Sequence, residues 1–234
     1  MAGKRSYDDP CGVARALHVV GERWTLLVVR ELLHGPKRFS DLSRGLPGMS
    51  QNVLSQRLHD LAEAGIVRQR QLGPPASTGG YELTAPGADL EPVLVALARW
   101  GSRVPACSAG ELSVDALVLA LKTTFDPAVA GDLRARYGLR IGADRFRAEI
   151  ADGRFGITRG TATEGEGGIA KVDTAMVDAV LETDAGTLRA LVFGGRPVAD
   201  AVEDGDLRIA GDRAAAERFV TCFPRPTPFG PPLP

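Results

Sequence analysis

The chain has 234 residues, 44% of them hydrophobic and 24% charged, the composition of an ordinary soluble protein with room for one large or two modest domains. No run of 18 apolar residues occurs, which excludes a conventional membrane-spanning helix. The net charge of −1 is unevenly spread: residues 1–105 hold 13 Lys/Arg against 10 Asp/Glu, residues 106–234 hold 15 against 19, so only the front half suits a polyanionic partner.

Met1–Asp9 lacks the apolar centre of a signal peptide, and Cys11, Cys107 and Cys222 are widely spaced. Together they imply a reducing cytoplasm. No Cys-x-x-Cys is present, and His18, His34 and His59 stand outside metal-ligand spacing of the cysteines, so we expect neither metal nor cofactor.

Asp8-Asp9-Pro10 resembles a helix start, followed at helical spacing by Val13, Leu17 and Val20 and closed by Gly21. Trp24–Leu33 is a second helix, broken in its apolar character only by Arg30 and Glu31, and His34-Gly-Pro36 stops it. Phe39–Leu46, capped by Ser40, is a short third helix, and Pro47-Gly48 turns into a fourth. That fourth helix is N-capped by Ser50 and ended by Gly65. Val53, Leu54, Leu58, Leu61 and Ala62 recur at steps of three and four and form its buried face, leaving Gln51, Asn52, Ser55, Gln56 and His59 on the other. Gln and Asn side chains donate and accept at once, which suits them to base edges. Ile66–Leu72 alternates as a strand, Gly73–Gly80 is a loop, and Tyr81–Thr84 returns. Two short helices on a tight turn followed by a hairpin are a winged helix-turn-helix.

Cys11-Gly-Val-Ala-Arg-Ala-Leu, Gly21-Glu-Arg-Trp-Thr-Leu-Leu, Arg30-Glu-Leu-Leu-His-Gly-Pro, Arg38-Phe-Ser-Asp-Leu, Leu54-Ser-Gln-Arg-Leu-His-Asp-Leu, Ala64-Gly-Ile-Val and Tyr81-Glu-Leu-Thr stand in register with one pattern. Through them residues 8–104 resemble the HxlR-type (MarR-like) winged-helix transcriptional regulators of bacteria. The resemblance implies a homodimer bound to double-stranded DNA, with the first and last helices forming the seam. Val13 and Leu17 would contribute from the first helix. Leu90, Val93, Leu94, Leu97 and Trp100 would contribute from a last helix over Pro86–Arg103, unless that stripe serves the chain's own core. The base readers would be Gln51, Asn52 and Gln56, with Ser50 and Ser55 on phosphate or base edges and Ser40 nearby. Lys37, Arg38, Arg44 and Arg57 are candidate phosphate clamps, Arg57 with a rival role as an internal ion-pair partner. The wing departs from the family: Ala76-Ser77-Thr78 stands where relatives carry a basic residue, leaving Arg68 and Arg70 on the strand flank. Some relatives sense oxidants through a cysteine at the place of Cys11. Beside Asp8 and Asp9 we expect an inert, packed thiol, with a redox switch as the alternative.

After a linker at 104–110, the rear half is expected to hold a helix over Leu112–Thr123 and strands at Tyr137–Ile141, Arg145–Ile150 and Arg154–Arg159. Ala162–Gly168 is a Gly/Glu-rich loop. A strand at Val177–Glu182, helices at Asp184–Phe193 and Pro197–Asp204, a strand at Leu207–Ala210 and a closing helix over Asp212–Phe223 follow. The tail Pro224–Pro234 is too Pro-rich to pack. This order, with Glu182-Thr-Asp-Ala-Gly-Thr-Leu-Arg-Ala-Leu and Gly205-Asp-Leu-Arg-Ile-Ala-Gly-Asp-Arg-Ala, resembles the sterol-carrier-protein-2-like (SCP2-like) α/β domain over residues 111–223. That family often encloses an apolar tunnel for lipid-like ligands. Phe125, Phe146, Phe155, Phe193, Phe219 and Phe223 would line it or, the preferred reading, fill a solid core. No Gly-x-Ser-x-Gly elbow, no Walker-type loop and no His beyond residue 59 is present, so enzyme activity is not expected.

The sequence therefore describes an α+β protein: a winged-helix regulator, expected to repress, with a rear domain that senses a small hydrophobic ligand or adds a dimer contact. A lipid or hydrophobic-metabolite carrier that uses the winged helix only to dimerise is the rival.

Overall fold

A computed structural model describes residues 7–72, 78–105, 110–160 and 177–229. The chain divides into two units between Leu94 and Val95, inside a helix rather than at the expected linker.

The front unit begins with α1 (Gly12–Val20), α2 (Thr25–Leu32), α3 (Phe39–Gly45) and α4 (Gln51–Glu63), followed by the antiparallel hairpin β1 (Val67–Leu72) and β2 (Thr78–Leu83). Its core takes Val28, Val29 and Leu32 from α2, Leu42 and Leu46 from α3 and its exit, and Leu54, Leu58 and Leu61 from α4. α1 is capped by Cys11 rather than by an aspartate, and α3 starts at Arg38 with no side-chain cap, so Ser40 lies within the helix rather than before it. Trp24 opens α2 in the left-handed region, φ 78°, an uncommon conformation for a bulky residue. Lys37 exchanges both backbone bonds with Tyr81 at 2.9 and 2.8 Å, adding a bridge to the hairpin that the sequence did not suggest.

The single last helix expected over Pro86–Arg103 is two pieces, α5 (Ala85–Ala88) and α6 (Glu91–Gly101). The Thr84 hydroxyl caps the Gly87 amide and starts a turn that closes at Asp89 before α6 begins.

In the rear unit α7 (Val114–Thr124) and α8 (Pro127–Ala130) lead to β3 (Ala135–Ile141), β4 (Asp144–Ala151), β5 (Arg154–Arg159) and β6 (Ala179–Thr183). Then come α9 (Ala185–Arg189), a π-helical turn over Ala190–Gly194, α10 (Val198–Glu203), β7 (Arg208–Gly211) and α11 (Arg213–Thr221). The sheet order is β5-β4-β3-β6-β7, with only β3 and β6 parallel. Alternate residues of β3, β4 and β6 (Tyr137, Leu139, Ile141; Phe146, Ala148, Ile150; Ala179, Leu181) enter one core with α7, α9 and α11. A buried Asp115 on α7 binds Arg159 on β5 at 2.8 Å, and Arg159 also reaches Asp144 while lying 4.6 Å over the Phe146 ring. The Tyr137 hydroxyl is buried without a hydrogen-bond partner among the described residues, and burial above all pushes its phenol well above the ordinary value.

The six phenylalanines, expected to fill a core or line a tunnel, gather in and around one cluster. Phe146, Phe219 and Phe223 are fully buried, and Phe125, Phe155 and Phe193 pack against that cluster. Tyr137–Phe219, Phe219–Phe223 and Phe155–Phe223 centroids lie 4.8, 5.0 and 5.1 Å apart, within the range of packed aromatic pairs. Pro224–Phe229 is also placed, contrary to expectation: the Phe229 amide donates to the Arg103 carbonyl at 2.8 Å, its ring lies 4.2 Å under the Arg103 guanidinium, and Trp100 stands 6.1 Å away. Proline leaves few donors there, and aromatic contact supplies the hold. The rest of the tail, Cys107 and the Gly/Glu-rich loop lie outside the described residues.

Candidate nucleic-acid interface

α4 is held in a single rotational setting. Leu54, Leu58 and Leu61, all at most 2% exposed, lock one face into the core. At its start the Ser50 hydroxyl accepts from the Val53 amide at 3.3 Å, so this oxygen is already engaged as a cap. At its end Gly65, φ 70°, donates to Ala62 and Ile66 donates to Leu61, the paired bonds of a Schellman stop. Both ends and one face being fixed, the opposite face is presented rigidly.

That face carries Gln51, Asn52, Ser55 and Gln56, all exposed. Gln56 lends its amide to Asp60 at 2.9 Å. Gln51, Asn52 and Ser55 keep their side-chain donors and acceptors clear of other described residues. The first turn of α4 has no acidic residue, so nothing there repels a phosphate from the positive end of the helix.

The basic residues separate into two groups. Lys37, expected as a phosphate clamp, instead directs its ammonium to the fully buried Glu31 at 2.7 Å, with only 16% of its side chain exposed. Arg57 resolves toward its internal role, 20% exposed, bonded to Asp60 at 2.6 Å and near Glu22 at 3.7 Å. Glu22, in the turn between α1 and α2, is out of sight of the sequence pattern, whereas Asp60 lies one turn along α4 itself. Arg44 is 78% exposed, with a 3.3 Å contact to Asp41, and Arg38 forms no ion pair among the described residues. On the hairpin, Arg68 and Arg70 are 67% and 56% exposed, and both donate to Glu82 at 2.7 Å. The bond from Arg70, with a contribution from Arg68, holds the Glu82 carboxyl below the usual carboxylate range. One carboxylate thus cancels one of the two charges on the strand flank, a feature legible only once Arg68 and Glu82 are known to be register partners. The wing tip, residues 73–77, lies outside the described residues.

Of the residues expected at the dimer seam, Val13 and Leu17 on α1 and Val93, Leu97 and Trp100 on α6 are exposed, 69, 42, 52, 47 and 62%. Leu90 is half-buried, and Leu94 is 4% exposed and belongs to the core. Cys11 is exposed, not packed; its sulfur donates to Asp9 at 3.3 Å and accepts from the Ala14 amide. The Cys11 amide, then its thiol, holds the Asp9 carboxyl below the usual range.

Residues 19–107 match the profile of the HxlR-like helix-turn-helix family. An uncharacterized HTH-type transcriptional regulator of Mycobacterium tuberculosis is 43% identical over 38% of this chain and 56% of its own length. YvaP, an uncharacterized HTH-type transcriptional regulator of Bacillus subtilis, is 34% identical over 38% of this chain and 82% of its own. The solved reduced form of the B. subtilis transcriptional regulator YodB is 30% identical, covers 44% of this chain and 100% of that one, and has a TM-score of 0.37. The chain thus spans about half the length of the mycobacterial relative.

Proposed function

The chain belongs to the HxlR-like helix-turn-helix family, and on that footing we propose that it is a cytoplasmic, DNA-binding transcriptional regulator, acting as a repressor and not as an enzyme. One observation carries the reading: α4 is immobilised by its core face and both caps, and it presents uncharged Gln51, Asn52 and Ser55 with their hydrogen-bonding groups unspent. A rigid helix with such side chains at its N-terminal end is what the major groove accepts. Arg38, Arg44, Arg68 and Arg70 hold the phosphates and set the register. A homodimer formed through the apolar residues that α1 and α6 expose would put two α4 helices in successive grooves, about 34 Å apart, on a pseudo-palindromic operator. The rear unit, read as SCP2-like, is the effector-binding part. An effector works only by binding one setting of the recognition helices better than the other.

The test is fluorescence anisotropy with DNA from upstream of the chain's own gene. Gln51→Ala/Asn52→Ala is expected to weaken specific binding by about 2–6 kcal/mol, since each good base contact is worth about 1–3, while leaving affinity for scrambled DNA in place. Equal binding to both DNAs by the parent protein would sink the reading. It would favour the carrier, to which the near-neutral hairpin already lends support.

A second reading, control by thiol oxidation, is favoured by the exposure of Cys11 at the start of α1. If it holds, diamide releases the parent protein from DNA and leaves Cys11→Ser bound; equal release of both removes it.

A further inference from the structure

A cleft of about 590 Å³ lies along β7, the edge strand of the five-stranded sheet. The six phenylalanines take no part in it. Its apolar wall is built by Val180, Val202, Leu207 and Ile209. Val180 matters most here: alternation sends Ala179 and Leu181 into the core, and Val180 faces the other way. A cleft of that size, mostly apolar with a few convergent polar groups, has the dimensions of a small-molecule site.

Its polar part is set by register. Arg140 on β3 is opposite Glu182 on β6, and Glu182 is opposite Arg208 on β7, so three charges stand in one row across three strands. Arg213 of α11 also lines the cleft. Three guanidinium groups therefore meet one carboxylate in the lining, and the surplus is positive. Arg140 is the most buried of the three: only 13% of its side chain is exposed, its bond to Glu182 is a long 3.4 Å, and its buried Nε has no hydrogen-bond partner among the described residues. A buried guanidinium N–H left unbonded is costly, and an incoming anion would remove that cost. Guanidinium forks match carboxylate and phosphate oxygens two at a time. Arg208 forms no ion pair among the described residues, whereas Arg213 is held by Glu217 at 2.9 Å.

We propose that this cleft binds a small molecule with an apolar body and one anionic head, the head on Arg140 and Arg208 and the body on Val180 and its register partner Ala210, on the same face of the sheet. The proposal deepens the reading of the rear unit as effector-binding and gives that role a place other than the phenylalanine cluster.

Calorimetry on the full chain decides it, with octanoate, octyl phosphate, 1-octanol and acetate as probes. Octanoate or octyl phosphate is expected to saturate one site per chain, and whichever is tighter names the head group. Arg140→Met should weaken the tighter probe at least tenfold. Glu182→Gln, which releases Arg140 and removes the one carboxylate from the lining, should tighten it severalfold, an opposite sign that mere loss of structure cannot give. Ala210→Phe fills the cleft from β7 and should abolish binding. The proposal is overturned if neither anion saturates, if 1-octanol binds as well as octanoate, if acetate does, or if Ala210→Phe binds like the parent. Anisotropy on the same preparations separates the two readings. Anion binding without DNA binding removes the regulator and keeps the cleft; the reverse result removes the cleft alone.

Discussion

Glu31→Ala is expected to destabilise the front unit by about 3–5 kcal/mol, the usual cost of removing one partner from a buried charge cluster. Glu31 is 0% exposed on α2, a helix whose only other charged residue is Arg30. Its Oε1 accepts from Arg30 Nη2 at 2.8 Å and Nε at 3.2 Å, and its Oε2 accepts from Lys37 at 2.7 Å. It thereby joins α2 to the segment that pairs with the hairpin through Lys37 and Tyr81. The last residue of α3 closes the site from the other side: a Cβ on Gly45 would collide with the Glu31 carboxylate. Truncation would empty the centre of the helix-turn-helix and leave two cations, each 16–18% exposed, to find water. Thermal unfolding followed by Trp24 emission in a Trp100→Phe background reads the effect, and Glu31→Gln should fall between parent and Ala. A loss below about 1 kcal/mol would mean the cations hydrate freely and the cluster is a surface pair.

The same cluster shows what the sequence could and could not disclose. Local rules carried the element order: Ser50 and Gly65 bound α4, and Asp212 caps α11 with its side chain on the Ala214 amide. The rear strands were found within a residue or two because apolar alternation and Gly/Asp turns are local signals. Ion-pair partners are not local. Lys37 and Arg57 look like Arg44 in a linear chain, and only the fold puts Glu31 beneath one and Glu22 beside the other, Asp60 alone being a neighbour along the helix. The break between α5 and α6 and the π turn after α9 escaped for a related reason, since apolar periodicity runs through both. The cleft along β7 was invisible because Arg140, Glu182 and Arg208 come together through strand register, which no spacing in the sequence encodes.

Phe219→Ala is expected to cost the rear unit about 3–5 kcal/mol, as deletion of a large ring from a close-packed core does. The ring is fully buried and meets Tyr137, Phe155 and Phe223 at centroid distances of 4.8, 6.3 and 5.0 Å. These come from β3, β5 and the end of α11, so Phe219 secures the closing helix to the sheet. Around it Leu117 and Leu121 of α7 and Ile150 of β4 are equally buried and already committed, which limits collapse into the space left. Amide hydrogen exchange at Leu139 and Ile141 of β3 measures the loss. At about 1.4 kcal/mol per tenfold, protection should fall by about two to three and a half decades. The alternative predicts otherwise: a ring that merely lined a ligand-sized tunnel would lose contacts on one side only, and its removal would enlarge a space already empty. A fall of less than tenfold would support the tunnel. The expected fall instead fixes the phenylalanines as structural and leaves the arginine-lined cleft along β7 as the ligand site proposed for this unit.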